Sequence, residues 1–259
     1  MGAAAVTDPF VDFGGRRLIV SGAGSGIGRA IAVELSRRRA AVVLVGRRQS
    51  ALAETLALLE GSGHHVLELD LADADAIHPR LRRFVADTGA VYGFCHSAGR
   101  VQTLPLTANR PGHTRAMLDI NLVAALEVAR ALTRREVMEP GGGAIVFIAS
   151  IYGSRGAAGQ IGYSASKGAL IAAARSMALE LARRNIRVNT LSPGMVATPM
   201  TAGALAALTA DQVRRLQEGH PLGVGRVEDV ARAAVFLLAP QTRWITGTDF
   251  VIDGGFTAG

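Results

Sequence analysis

The stretch RLIVSGAGSGIGRA, residues 17–30, decides the fold. It opens as a short, continuously apolar run, breaks at Ser21 and four closely spaced glycines, and resumes with apolar residues at helical spacing. A strand that turns straight into a helix through small residues leaves the first N–H groups of that helix free, at the positive end of its dipole, where anions bind. Gly22 allows the tight turn, Gly26 lets a diphosphate approach the backbone, and Gly28 lets the helix lie close to the sheet. With Ser25 and Ile27 between them, these residues form the expected nucleotide cradle.

Outward from this turn the same alternation repeats. The runs at 41–46, 65–70, 91–99, 144–150, 186–194 and 249–255 join 17–22 as seven expected strands. They are apolar without interruption, as strands covered on both faces are. Between them, 26–39, 49–61, 73–89, 115–137, 164–185 and 227–239 carry helical periodicity. Strand–helix alternation predicts a single α/β domain of Rossmann type: a doubly wound, seven-stranded parallel sheet with helices on both faces, and ligands beyond the carboxyl ends of the strands. The domain is expected over residues 15–259, after an extension at 1–14, with a helical lid at about 195–219.

Composition narrows the function. Hydrophobic residues make up 49% and charged residues 19%, enough for a large core. The net charge of +7 comes from arginines in short scattered runs, and aromatics are 5%, so a nucleic-acid surface is not expected. No apolar run reaches membrane-spanning length, and Val6 breaks the myristoylation pattern. Cys95 is the lone cysteine, which fits a reducing compartment and a buried thiol; a cytoplasmic location is expected, and no metal site.

The end of the second strand reads VGRRQS, with Arg47 and Arg48 and no acid to hold a ribose 2′-hydroxyl. Guanidinium suits phosphate oxygens, so NADP(H) is favoured and NAD(H) is the alternative. Asp70 and Leu71, after the third strand, border the expected adenine site, or Asp70 caps the next helix.

Among 28 basic residues the chain has a single lysine, Lys167, four residues after Tyr163 in YSASK. On a helix the two project from one face. A phenol of pKa near 10 works near neutrality only if its phenolate is favoured by roughly 4 kcal/mol, and an adjacent ammonium is expected to supply part of this. Ser150 ends the fifth strand beside the expected site. Asn121 is an amide in an apolar helix that either orders a water near Lys167 or ties the helix to a strand.

Together these residues resemble the classical short-chain dehydrogenase/reductase family over residues 15–257. The family's glycine motif appears as SGAGSGIG, its Asn-Asn-Ala-Gly as HSAG (96–99), and its catalytic set as Asn121, Ser150, Tyr163 and Lys167. Its Pro-Gly turn appears as SPGMVATPM. The resemblance implies that Ser97, Ala98, Gly99, Pro193, Gly194, Val196 and Thr198 also bind the cofactor, as do Tyr163 and Lys167. It implies hydride exchange between a nicotinamide and a ketone or secondary alcohol, with Tyr163 as general acid/base. PLGVGRVED (221–229) is similar to bacterial 3-oxoacyl-carrier-protein reductases, which makes that activity an alternative and an acyl-carrier protein a possible partner. A homotetramer, or a dimer, through the helices containing Asn121 and Tyr163 is implied. His96 and Ser97 stand where the family has two asparagines; for His96 a structural role is preferred to titration. A nucleotide-binding regulator without turnover is the rival class, and the intact Ser150, Tyr163 and Lys167 argue against it.

Overall fold

The computed structural model describes residues 11–205 and 209–259. Seven strands form one sheet: β1 (Arg17–Ser21), β2 (Ala41–Gly46), β3 (His65–Glu68), β4 (Gly93–His96), β5 (Gly143–Ile148), β6 (Ile186–Pro193) and β7 (Asp249–Ile252). Their order is β3-β2-β1-β4-β5-β6-β7, every neighbouring pair parallel. The order reverses between β1 and β4, so the helices after these strands leave on opposite faces and a crevice opens between the two strand ends.

Each strand buries both sides. Leu18 and Val20 face a core shared with α1 (Gly26–Arg37) and α9 (Val227–Leu238), whereas Ile19 faces a core shared with α3 (Ala74–Thr88) and α6 (Ile161–Leu181). Val42 and Leu44 repeat the first direction on β2, and Val43 and Val45 the second. This period of two beneath continuous hydrophobicity is the signature of a sheet between helical layers. Val11 and Phe13, ahead of the expected boundary at residue 15, are buried in the first core. Residues 1–10 of the expected extension, and 206–208 of the expected lid, lie outside the described residues.

Several expected elements differ in extent, among them the helix at 49–61, which ends at Leu56, and the strand at 249–255, which ends at Ile252. The run at 91–99 is a strand only over Gly93–His96, because the chain then crosses the end of β1, with Ser97 N–H donating to the Ser21 carbonyl at 3.2 Å. The expected helix at 115–137 starts earlier, at Pro111, where proline's fixed φ and missing N–H suit the first helical position. It runs as α4 (Pro111–Leu118), a π-helical turn (Asp119–Val123) and α5 (Ala124–Leu132). It ends short of 137 because Val137 and Met138 turn inward and are buried beside β4. The remaining helices are α2 (Gln49–Leu56), α7 (Pro199–Leu205) and α8 (Ala210–Glu218).

One buried cation joins the sheet to its outer helix. Arg187 on β6 donates to the Leu237 carbonyl at 2.7 Å and the Ala239 carbonyl at 2.9 Å, closing the C-terminal end of α9. The guanidinium satisfies carbonyls that helix geometry leaves unpaired and sits at the negative end of the dipole. Replacing Arg187 with Met should therefore lower the unfolding free energy by about 3 kcal/mol in urea titrations, because the carbonyls stay buried without a donor.

Candidate active site

The strand ends of β1, β2, β4, β5 and β6 enclose a cavity of about 760 Å³. Its floor is the glycine turn. Gly22 has a φ of +67°, and a Cβ there would stand 2.7 Å from the Ala98 amide nitrogen. A Cβ on Gly28 would stand 2.3 Å from the Gly22 carbonyl oxygen, so only glycine lets α1 begin this close to β1. Ser25, Gly26 and Ile27 complete the turn along the cavity wall.

Arg47 and Arg48 are exposed where β2 ends and line one end of the cavity, with Asp70 and Leu71 after β3. Asp70 does not cap α3: its carboxylate accepts from Ala72 N–H at 3.0 Å, and the cap is Asp73, which accepts from Ala76 N–H. Ser97, Ala98 and Gly99 pass over the centre. Pro193, Gly194, Val196 and Thr198 form the opposite wall, followed by the start of α7. The Thr198 hydroxyl accepts from Thr201 N–H at 3.0 Å and so caps that helix. In the expected lid, α7 borders the cavity through Pro199, Met200 and Thr201, while α8 is largely exposed.

Ser150, Tyr163 and Lys167 line the same cavity. Ser150 follows β5 and its hydroxyl accepts from Tyr152 N–H at 3.2 Å. Tyr163 and Lys167 lie one turn apart on α6, with the ammonium 5.8 Å from the ring centre. The Lys167 Nζ donates to the Ile148 carbonyl at 2.7 Å.

Asn121 alone among the expected site residues does not line the cavity; it is fully buried behind it, in the π turn. Its Oδ1 accepts from Arg100 N–H at 2.7 Å, and its Nδ2 donates to the Arg100 carbonyl and to Ser166 Oγ, both at 2.9 Å. Ser166 in turn donates to the Tyr163 carbonyl at 2.7 Å. The side chain makes a tie, but to a loop and a neighbouring helix and not to a strand as the sequence suggested. The tie joins the loop after β4 to the helix of Tyr163, and the widened turn is what aims the amide inward.

Comparison with known proteins agrees with this fold. Residues 22–257 match the family described as enoyl-(acyl carrier protein) reductase. Carbonyl reductase family member 4 of Danio rerio is 36% identical over 241 residues, covering 93% of this chain and 97% of its own. The 3-oxoacyl-(acyl-carrier-protein) reductase FabG of Vibrio harveyi is 32% identical, covering 93% and 97%. The structure of a short-chain type dehydrogenase/reductase from Mycobacterium ulcerans superposes with a TM-score of 0.87 at 30% identity, covering 95% of this chain and 91% of that one. The chain belongs to the short-chain dehydrogenase/reductase family. It is accordingly an oxidoreductase acting on carbonyl and alcohol groups with a nicotinamide cofactor.

In this short-chain dehydrogenase/reductase the electrostatics differ from the sequence expectation at one point. The Tyr163 phenol is held above the ordinary tyrosine pKa. Burial is the largest cause, opposed by a hydrogen bond from Ser150, while Tyr152 adds to the rise. The expected acidification by Lys167 is not among these causes; the ammonium is itself buried, pushed down to about 8 by loss of water, and donates to the Ile148 carbonyl.

At the family's paired asparagines the substitution is compensated. The His96 Nδ1 accepts from the Ser21 hydroxyl at 3.0 Å and its Nε2 donates to the Ile120 carbonyl at 3.2 Å. Both ring nitrogens are thus satisfied in the neutral form. Burial, aided by Lys167, pushes the imidazole pKa down to about 3, so His96 is a structural strut between β1 and the π turn. Burial likewise raises the Cys95 thiol, leaving it inert. Sequence reading missed Arg100 as a cavity residue, since nothing in its surroundings marks it as more than another loop arginine.

The depressed lysine has a measurable consequence. Between pH 8 and 10.5 the unfolded chain holds a proton on Lys167 that the folded chain has released, so stability from this group rises with pH across that window and is lost as pH falls through 8. Against Lys167→Met, wild-type stability in urea should gain on the order of 3 kcal/mol from the bottom to the top of this window. A parallel pH dependence in the two proteins would contradict a desolvated lysine.

Proposed function

We propose that the protein is an NADP(H)-dependent carbonyl reductase and alcohol dehydrogenase that interconverts a ketone and a secondary alcohol. The observation that carries the reading is the convergence of Ser150, Tyr163 and Lys167 with the glycine turn on one cavity. The fit to a dinucleotide rests on the cradle: side chains at Gly22 and Gly28 would collide with Ala98 and with the Gly22 carbonyl, so bare backbone is what the turn presents. Ser25, Gly26 and Ile27 would hold the diphosphate. Arg47 and Arg48, exposed and free of ion pairs among the described residues, would hold a 2′-phosphate. Asp70 and Leu71 would border adenine. Ser97, Ala98, Gly99, Pro193, Gly194, Val196 and Thr198 would flank the ribose and nicotinamide.

When bound, the nicotinamide supplies or accepts the hydride. The chain's own residues manage the proton and the geometry. Ser150 steadies the carbonyl oxygen, and Tyr163 donates its phenolic proton to that oxygen. A pKa held above the ordinary value keeps the phenol protonated at neutral pH, which suits reduction; oxidation needs the phenolate and gains as pH rises. Lys167 lies on the same helix face to grip ribose hydroxyls and to favour the phenolate. Asn121 holds the loop and α6 in register through Arg100 and Ser166.

The relatives support a 3-oxoacyl thioester carried by an acyl-carrier protein as one candidate substrate. Of the arginines that could meet an acidic carrier, Arg134, Arg135 and Arg175, the first pairs with Glu136 at 3.7 Å. A homotetramer or dimer formed through the helices of Asn121 and Tyr163 is part of this reading. Val123 at 40% and Leu179 at 82% exposure leave apolar surface on those elements. The protein is placed in the cytoplasm, in keeping with its single thiol and with the lack, among the described residues, of any helix long and apolar enough to cross a membrane.

Two measurements test the reading. Tyr163→Phe should lower NADPH-dependent ketone reduction by about 10²- to 10⁴-fold with circular dichroism unchanged, the loss of a positioned general acid. Arg47→Ser combined with Arg48→Ser should weaken NADPH binding by about tenfold or more while NADH binding moves little.

A further inference from the structure

We propose that Arg100 is the anion-recognising residue of the substrate half of the cavity, and that the physiological ketone or alcohol carries a carboxylate or phosphate. The inference rests on the carbonyl-reductase reading and names its substrate class. Five charged residues line the cavity: Arg47, Arg48, Asp70, Arg100 and Lys167. Arg47, Arg48 and Asp70 follow β2 and β3, on one side of β1. Arg100 and Lys167 lie on the other, and the lining there includes no carboxylate.

The position of Arg100 follows from the register. His96 on β4 pairs with Phe147 on β5, so the chain four residues past His96 and Ser150, three past Phe147, emerge from neighbouring strand ends. A methyl group on Gly99 would stand 3.7 Å from Lys167 Nζ, which fixes how closely this loop passes the catalytic lysine.

The loop is also braced. Asn121 bonds both the N–H and the carbonyl of Arg100, so the backbone that presents the guanidinium is tied down by a fully buried amide. Arg100 is an exposed residue of the cavity lining, and its guanidinium has no hydrogen-bond or ion-pair partner among the described residues. Lys167 has other work in this reading, one donor on the Ile148 carbonyl and the others toward ribose and phenolate. A planar donor fork on an ordered loop, in a carboxylate-free region, is suited to bidentate binding of a carboxylate or phosphate. The cofactor's own anions have other hosts in the glycine turn and in Arg47 and Arg48, which leaves Arg100 for the substrate.

The test uses one ketone in two charge states, 4-oxopentanoate and its methyl ester, with NADPH. Wild-type protein should prefer the acid in kcat/KM by about tenfold or more, the worth of a charge-assisted hydrogen bond. The preference should narrow with added salt. In Arg100→Met the acid-to-ester ratio should fall to parity, and Arg100→Lys should restore part of it.

Titration of NADPH by fluorescence separates the two anion sources. Affinity that holds in Arg100→Met assigns the residue to substrate. Affinity that falls along with the ratio assigns it to a cofactor phosphate and overturns the proposal. Equal use of acid and ester by wild type, or a preference that survives in Arg100→Met, overturns it as well while leaving the reductase reading intact. If no ketone is turned over, quenching of enzyme-bound NADPH by the acid but not the ester, lost in Arg100→Met, would uphold the anion site and sink the reductase reading instead. Absence of quenching by both would sink the anion site.

Discussion

The contact on which the site depends is the approach of α1 to the end of β1. Gly28 lies against the Gly22 carbonyl and Gly22 against the Ala98 amide, each closer than a side chain would permit. Three chain segments therefore meet with no atoms between them but backbone. The result is a wall of N–H groups at a helix N-terminus, the arrangement that attracts a diphosphate. The same contact brings the loop after β4 over the centre of the sheet, where Gly99 passes beside Lys167. Cofactor cradle and catalytic lysine are in this sense consequences of one packing event.

A polar spine behind the cavity holds these surfaces in register. Ser21 donates to His96, His96 to the Ile120 carbonyl, and the next residue, Asn121, bonds Arg100 and Ser166, which bonds the Tyr163 carbonyl. The four side chains that bond along it, Ser21, His96, Asn121 and Ser166, are fully buried and each is partnered, so the spine specifies geometry without leaving these groups unmatched. The departure of His96 from the family's asparagine is absorbed here. An imidazole offers one donor and one acceptor, and the Ser21 hydroxyl and the Ile120 carbonyl supply the complements.

Desolvation explains why the titratable groups sit where they do. The environment that makes a lysine ammonium effective against a phenolate also withdraws water from both. Burial raises Tyr163 and lowers Lys167, and each moves towards its neutral form. The protonated phenol that results is the form a reductase uses.

Much of this was legible in the linear chain. Continuous apolar runs separated by helical periods determined a parallel sheet between helical layers, because burial on both faces leaves no room for alternation. Glycine spacing after β1 and the lysine placed one turn from Tyr163 determined the tight strand-to-helix turn and the shared helix face, since both depend on local geometry. Other features needed the folded molecule. Asn121 as a tie and the upward shift of Tyr163 arise from contacts between segments far apart in sequence, while the π turn and the choice of Asp73 over Asp70 as the α3 cap are local backbone geometry that residue types leave open. Arg100 shows the difference most plainly. As one of many arginines it is undistinguished in the chain, and only the strand order, which sets the end of β4 beside that of β5, brings it to the lining of the same cavity as Ser150 and Tyr163.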